Sequence, residues 1–128
     1  MSKFTSDEEP LGRYDKSGKY FTLHESISYD VGHEGSGETI YIPVGFVTDF
    51  ASIPRTVQLL IPKHTGRRAA ILHDYLYRTK GLQGRYSRAK SDLIFFEALG
   101  VLGINTATRT AMYLGVRVGG WLPWLRGK

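Results

Sequence analysis

The chain has 128 residues, no cysteine, and a formal net charge of +5 from 17 Lys and Arg against 12 Asp and Glu. That length suits one domain, and the missing cysteines exclude a disulfide framework, a zinc ribbon and a thiol nucleophile while fitting synthesis in a reducing cytosol. No apolar run approaches the roughly 18 residues that a bilayer span needs, and the polar, acidic start MSKFTSDEEPLGRY does not read as a signal peptide.

Residues 1–10 lack hydrophobic periodicity and read as a flexible arm, leaving 11–128 as one α+β domain. Two β-like runs follow, KYFTLHESISYDV and ETIYIPVGFVTDF, rich in aromatic and β-branched residues. GHEGSG between them reads as a hairpin-type connection, and Pro43 marks an edge or a strand break. Beyond Asp49 the pattern turns helical. TGRRAAILHDYLYRTKG predicts a helix capped by Thr65 and ending at Gly81, with Arg78 and Lys80 near its negative end. Ser87 caps a second helix that fades at Gly100 and Gly103, and Asn105 or Thr106 starts a third, in which Gly115 is a weak point. The expected architecture is therefore antiparallel N-terminal strands followed by about three packed helices.

Helical spacing picks out the polar residues. Ala69, Leu72, His73 and Leu76 follow i, i+3, i+4, i+7, which turns His73 inward. Asp74 falls on the next side, and with Arg78 at i+4 it reads as a helix-surface ion pair. In the second helix Ala89, Asp92, Leu93 and Phe96 form the expected apolar stripe, so Asp92 sits where an aliphatic residue belongs. A carboxylate there needs a partner, and Arg88 at i−4 and His73 on the preceding helix are the candidates. Asp49 arrives from the end of the β region and is a further candidate to join them.

Three readings of this constellation stay open. Asp49, His73, Asp74 and Asp92 offer the oxygens and imidazole of a divalent-metal site, the one cofactor the set admits. Asp49, His73 and Asp92 alternatively form an acid/base catalytic group, with a carboxylate orienting the imidazole. Ser52, Arg55, Asp74, Arg78 and Arg88 would otherwise complete a network that only locks helices to sheet. Ser52 lacks the G-x-S-x-G context of a nucleophile and reads as the turn partner of Asp49. GHEGSGE precedes a strand and so lacks the setting of a phosphate loop. His33 and Glu34 read as solvent-exposed loop residues, His24 and His64 have no neighbours at ligand spacing, and Tyr75 and Tyr77 divide between core and surface. Trp121, Trp124 and Arg126 form an aromatic, basic tail suited to a membrane interface, to partner binding or to folding back on the core. The basic excess beyond Gln83 suits nucleic acid or a solvated surface, with no nucleic-acid motif beside it.

Three ordered segments, IPVGFVTDFASIPR, AAILHDYLYR and SRAKSDLIFFEAL, resemble a family of small proteins of tailed phages and prophages known only as a domain of unknown function. The resemblance runs from about Ile42 to Trp121 and leaves the first 40 residues unplaced. The family pattern falls on Asp49, Ser52, Pro54 and Arg55, then His73, Asp74 and Tyr77, then Arg88 and Asp92, with Ser91 standing where the family usually has alanine. The resemblance implies a phage setting and no established activity. The expected function is a structural or assembly component of a virion (tail, neck or adaptor) that binds other phage subunits. Such a protein would be an oligomer or assembly member, made in the host cytoplasm and carried in the particle. Two alternatives are a small metal-dependent or acid/base hydrolase of cell wall, nucleotide or nucleic acid centred on His73 and Asp92, and an inhibitor of a host defence.

Overall fold

A computed structural model describes Phe4, residues 12–61 and residues 66–127. The expected arm and the Thr65 cap thus lie outside the described residues, except Phe4. That ring is buried against Tyr29, with centroids 4.6 Å apart.

The architecture is α+β, as the sequence predicts. β1 (Gly12–Tyr14), β2 (Phe21–Leu23) and β5 (Val47–Thr48) form an antiparallel sheet in the order β1-β2-β5. β3 (Ile27–Asp30) and β4 (Thr39–Ile42) form a separate hairpin in which Tyr29 lies opposite Ile40. Alternation explains the hairpin's seating: Ile27, Tyr29, Ile40 and Ile42 face the core while Tyr41 faces out. Pro43 follows β4 directly, where no ladder donor is required.

A short helix, α1 (Arg55–Gln58), follows the Asp49–Ser52 turn. Then come α2 (Arg67–Arg78), a helical turn α3 (Lys80–Gly84), α4 (Arg88–Val101), α5 (Thr106–Gly119) and α6 (Trp121–Arg126). Ser87 and Asn105 cap α4 and α5 by accepting from the N–H groups of Lys90 and Thr108. Helix α2 is central, touching β5, α4 and α6, and nine of its 12 residues are buried. Gly115 and Gly119 let α1 approach α5 closely: a Cβ on Gly115 would lie 2.3 Å from Val57 Cγ2. The weak point of that helix is thus a packing site.

Two helical expectations are corrected. Ala89 and Leu93 are exposed, and the buried face of α4 runs through Ser91, Asp92, Ile94, Phe95, Ala98 and Leu99. Asp92 lies inside, but on a different stripe. The right-handed α2 ends at Arg78, short of Gly81. Lys80, Gly81, Leu82, Gln83 and Gly84 all have positive φ, forming a left-handed turn. Thr79 Oγ1 accepts from Leu82 N, and Gly81 O accepts from Tyr86 N at 2.8 Å, which ties the turn to the start of α4.

Candidate functional site

The Asp49–Ser52 turn, α2, α4 and α5 bring two polar networks together. In the first, His73 Nε2 donates to Asp92 Oδ1 at 2.8 Å, and Tyr77 OH donates to the same oxygen at 2.7 Å. Arg117 Nη1 donates to Asp92 Oδ2 at 2.9 Å, and Arg88 Nη1 stands 3.6 Å from it. With four donors around it Asp92 is the carboxylate, which assigns the Nε2 proton to His73. The other ring nitrogen, Nδ1, lies 3.0 Å from Ser52 Oγ, within hydrogen-bond distance. Burial works to raise the Asp92 pKa. The hydrogen bond and charge of His73, together with Tyr77 and Arg117, outweigh it and hold the group below its ordinary value. Burial and the adjacent Asp92 push the Tyr77 hydroxyl strongly up, so it stays a donor.

In the second network Asp74 Oδ2 accepts from Thr48 Oγ1 at 2.6 Å and from Arg78 Nε at 3.1 Å, while Asp74 Oδ1 accepts from Ser52 N at 3.3 Å. Arg78 Nη2 reaches Asp49 Oδ1 at 3.1 Å, and Ala51 N donates to that same oxygen. Ser52 is the junction: its backbone serves the second network and its hydroxyl the first.

Several expected placements change. Asp49 does not converge with His73 and Asp92, because Arg78 draws it into the second network. Asp74 is fully buried rather than on the surface, because β5 covers that side of α2. Ser52 bonds to His73 and Asp74, not to Asp49. Arg55 is exposed at the start of α1, where it joins neither network, and Arg117 supplies the cation expected of it. The proposed metal set is split between the two networks. Among the described residues no group of three or more His, Asp or Glu is placed to hold a metal.

Sequence reasoning missed Tyr77 and Arg117 as partners of Asp92. Tyr77 stands at i+4 from His73, on the same face, a signal present in the spacing. Arg117 lies 25 residues from Asp92 and gave no local signal. The tail is divided. Trp124 is half-buried, edge-on to Tyr77 with centroids 5.1 Å apart, while Trp121 and Arg126 are exposed.

Ser52, His73 and Asp92 are ordered as hydroxyl, imidazole and carboxylate, the series used in nucleophilic catalysis. All three are completely buried. As placed, the series links three segments and is closed to solvent.

Comparison with protein families matches residues 21–116 to the family described as "Protein of unknown function (DUF1353)". The chain belongs to that family. The match begins at Phe21, so it takes in β2, β3 and β4, which the three sequence motifs had left unplaced. No curated protein and no solved structure matches the chain.

Proposed function

We propose that the chain is a structural or assembly component of a phage particle, acting in a tail, neck or adaptor region by docking to other subunits. The observation that carries this reading is the complete burial of Ser52, His73, Asp74 and Asp92. These residues hold α2, α4, α5 and the Asp49–Ser52 turn in one arrangement. A catalyst would instead direct at least one of them into an open concavity.

The C-terminal helices supply a docking face. Ala107, Ala111, Leu114, Val118, Trp121 and Leu125 are all exposed, Val118 at 78 % and Leu125 at 65 %. Gly120 keeps a helical backbone between α5 and α6, so the 4-3-4-3-4 spacing carries across the join. A 3.5-residue apolar repeat suits a helix of a neighbouring subunit. Arg117 is turned inward to Asp92 and Arg109 to the Ile104 carbonyl, which leaves the seam largely uncharged. The test is incorporation into particles made in cells that carry the gene, for wild type and Val118→Glu. The expected result is incorporation of the wild type only, with equal unfolding midpoints. Absence of the wild-type protein from particles sinks the reading.

A hydrolase reading draws on the Ser52–His73–Asp92 series and requires Ser52 to become accessible. A fluorophosphonate probe that labels Ser52 in the folded protein would favour it over assembly.

A further inference from the structure

An open cleft beside the networks is left unused by the assembly reading. It has two lobes between the β1–β2 hairpin, the Asp49–Ala51 turn and α1. One lobe, of about 420 Å³, is lined by Tyr14, Phe50, Gln58, Ile61, Arg67 and Ala70. The other, of about 610 Å³, shares Tyr14, Phe50 and Gln58 and adds Lys19, Asp49 and Arg55. Small-ligand sites commonly have volumes of roughly 300–1,000 Å³, with aromatic walls and a few placed polar groups.

The wall between the lobes is rigidly built. Phe50 has φ +59°, a left-handed conformation that costs a bulky residue of order 1–3 kcal/mol. Its N–H donates to Thr48 Oγ1 at 3.0 Å and its carbonyl accepts from Gln58 Nε2 at 3.0 Å. Gln58 Nε2 also donates to Ile53 O at 2.8 Å. Two carbonyl acceptors fix which end of this amide is nitrogen, so Gln58 presents Oε1 as an acceptor with no partner among the described residues. Arg55 and Lys19 have no carboxylate partner among the described residues either. The lobe they line therefore offers two cations against Asp49, whose Oδ1 is already held by Arg78 and Ala51 N. In the smaller lobe the Arg67 guanidinium stands 5.7 Å from the Tyr14 ring centroid, completing an aromatic, cation-lined wall.

We infer that this cleft binds a nucleoside monophosphate whose base carries an amino group. The base lies against Tyr14 and Phe50 with its amine donating to Gln58 Oε1, and the phosphate lies between Arg55 and Lys19. Aromatic walls alone would take any flat ring, and the cations alone any anion. The pairing of the two lobes across Phe50 asks for both in one molecule, with a donor on the ring. The inference does not depend on the assembly reading.

The experiment is a titration of the full-length protein with AMP, followed by backbone amide NMR shifts. Parallel titrations use inorganic phosphate, adenosine, purine riboside 5′-monophosphate and a short single-stranded DNA. AMP is expected to move the Phe50, Arg55 and Gln58 amides and to bind more tightly than phosphate, adenosine or the base lacking the amine. Arg55→Ala and Lys19→Ala, both at exposed side chains, should each weaken AMP by about tenfold, as loss of a charged hydrogen bond predicts, and leave adenosine unchanged. Equal affinity for AMP and phosphate overturns the inference, as does AMP binding indifferent to Arg55→Ala. No shift at the cleft with millimolar AMP overturns it too, and so does binding of the DNA without binding of AMP.

Discussion

Ser52 Oγ and Asp92 Oδ1 hold opposite ring nitrogens of His73, at 3.0 and 2.8 Å, with all three side chains out of contact with solvent. One imidazole thereby fixes the turn after β5 to α4 through α2. The His73 ring also packs on Tyr77 and Phe95, with centroids at 4.2 and 4.7 Å. Its polar and apolar contacts specify the same position.

Removing the charge at the centre of this arrangement should be costly. Asp92→Asn leaves Arg117 and Arg88 without their carboxylate and puts an amide N–H₂ beside other donors. We expect a loss of about 3 kcal/mol, within the range for breaking a buried pair, seen as a lower urea midpoint at unchanged slope. A change below about 0.5 kcal/mol, the level of an ordinary surface substitution, would show that the pair contributes little.

The same carboxylate sets an acid dependence. Its folded pKa lies below the ordinary 3.8, so the native state is stabilised fully above pH 3.8. That contribution is lost as the pH falls through the lower folded value. Wild-type stability should therefore drop more steeply than that of Asp92→Asn as the pH falls below 3.8. Asp15 and Asp30, also held low by local hydrogen bonds, act in the same direction in both proteins. Parallel pH curves for the two would refute the assignment.

The buried hydroxyl of Ser91 has no hydrogen-bond partner among the described residues. An unpaired buried hydroxyl costs about 1–3 kcal/mol. Ser91→Ala should accordingly raise stability by about 1 kcal/mol, measured by thermal or urea unfolding. A loss of stability would mean the hydroxyl is satisfied in solution.

The left-handed turn makes a paired prediction. A Cβ on Gly81 would lie 1.8 Å from the Tyr86 carbonyl oxygen, at φ +68°, so Gly81→Ala should cost about 3 kcal/mol or more. Gln83, exposed with φ +62°, should tolerate glycine and gain up to about 1 kcal/mol from relief of strain. Similar effects of the two substitutions on the unfolding midpoint would contradict the turn geometry.

The local pattern determined the class of fold, the caps at Ser87 and Asn105, and the inward turn of His73, because period-2 and period-3.6 burial and side-chain capping act over a few residues. It also placed Asp92 inside and named His73 as its candidate partner, since a buried carboxylate must be matched. The partition of the other carboxylates needed tertiary structure. Asp49 and Asp74 share Arg78 because β5 lies across a face of α2 that spacing alone marks as surface. Arg117 reaches Asp92 only because α5 packs beside α4, and Arg55, at the start of α1, is left exposed. Helix spacing fixes which side of its own helix a residue occupies. Which other element covers that side depends on long-range packing, and that decided which charges were sealed and which stayed open to solvent.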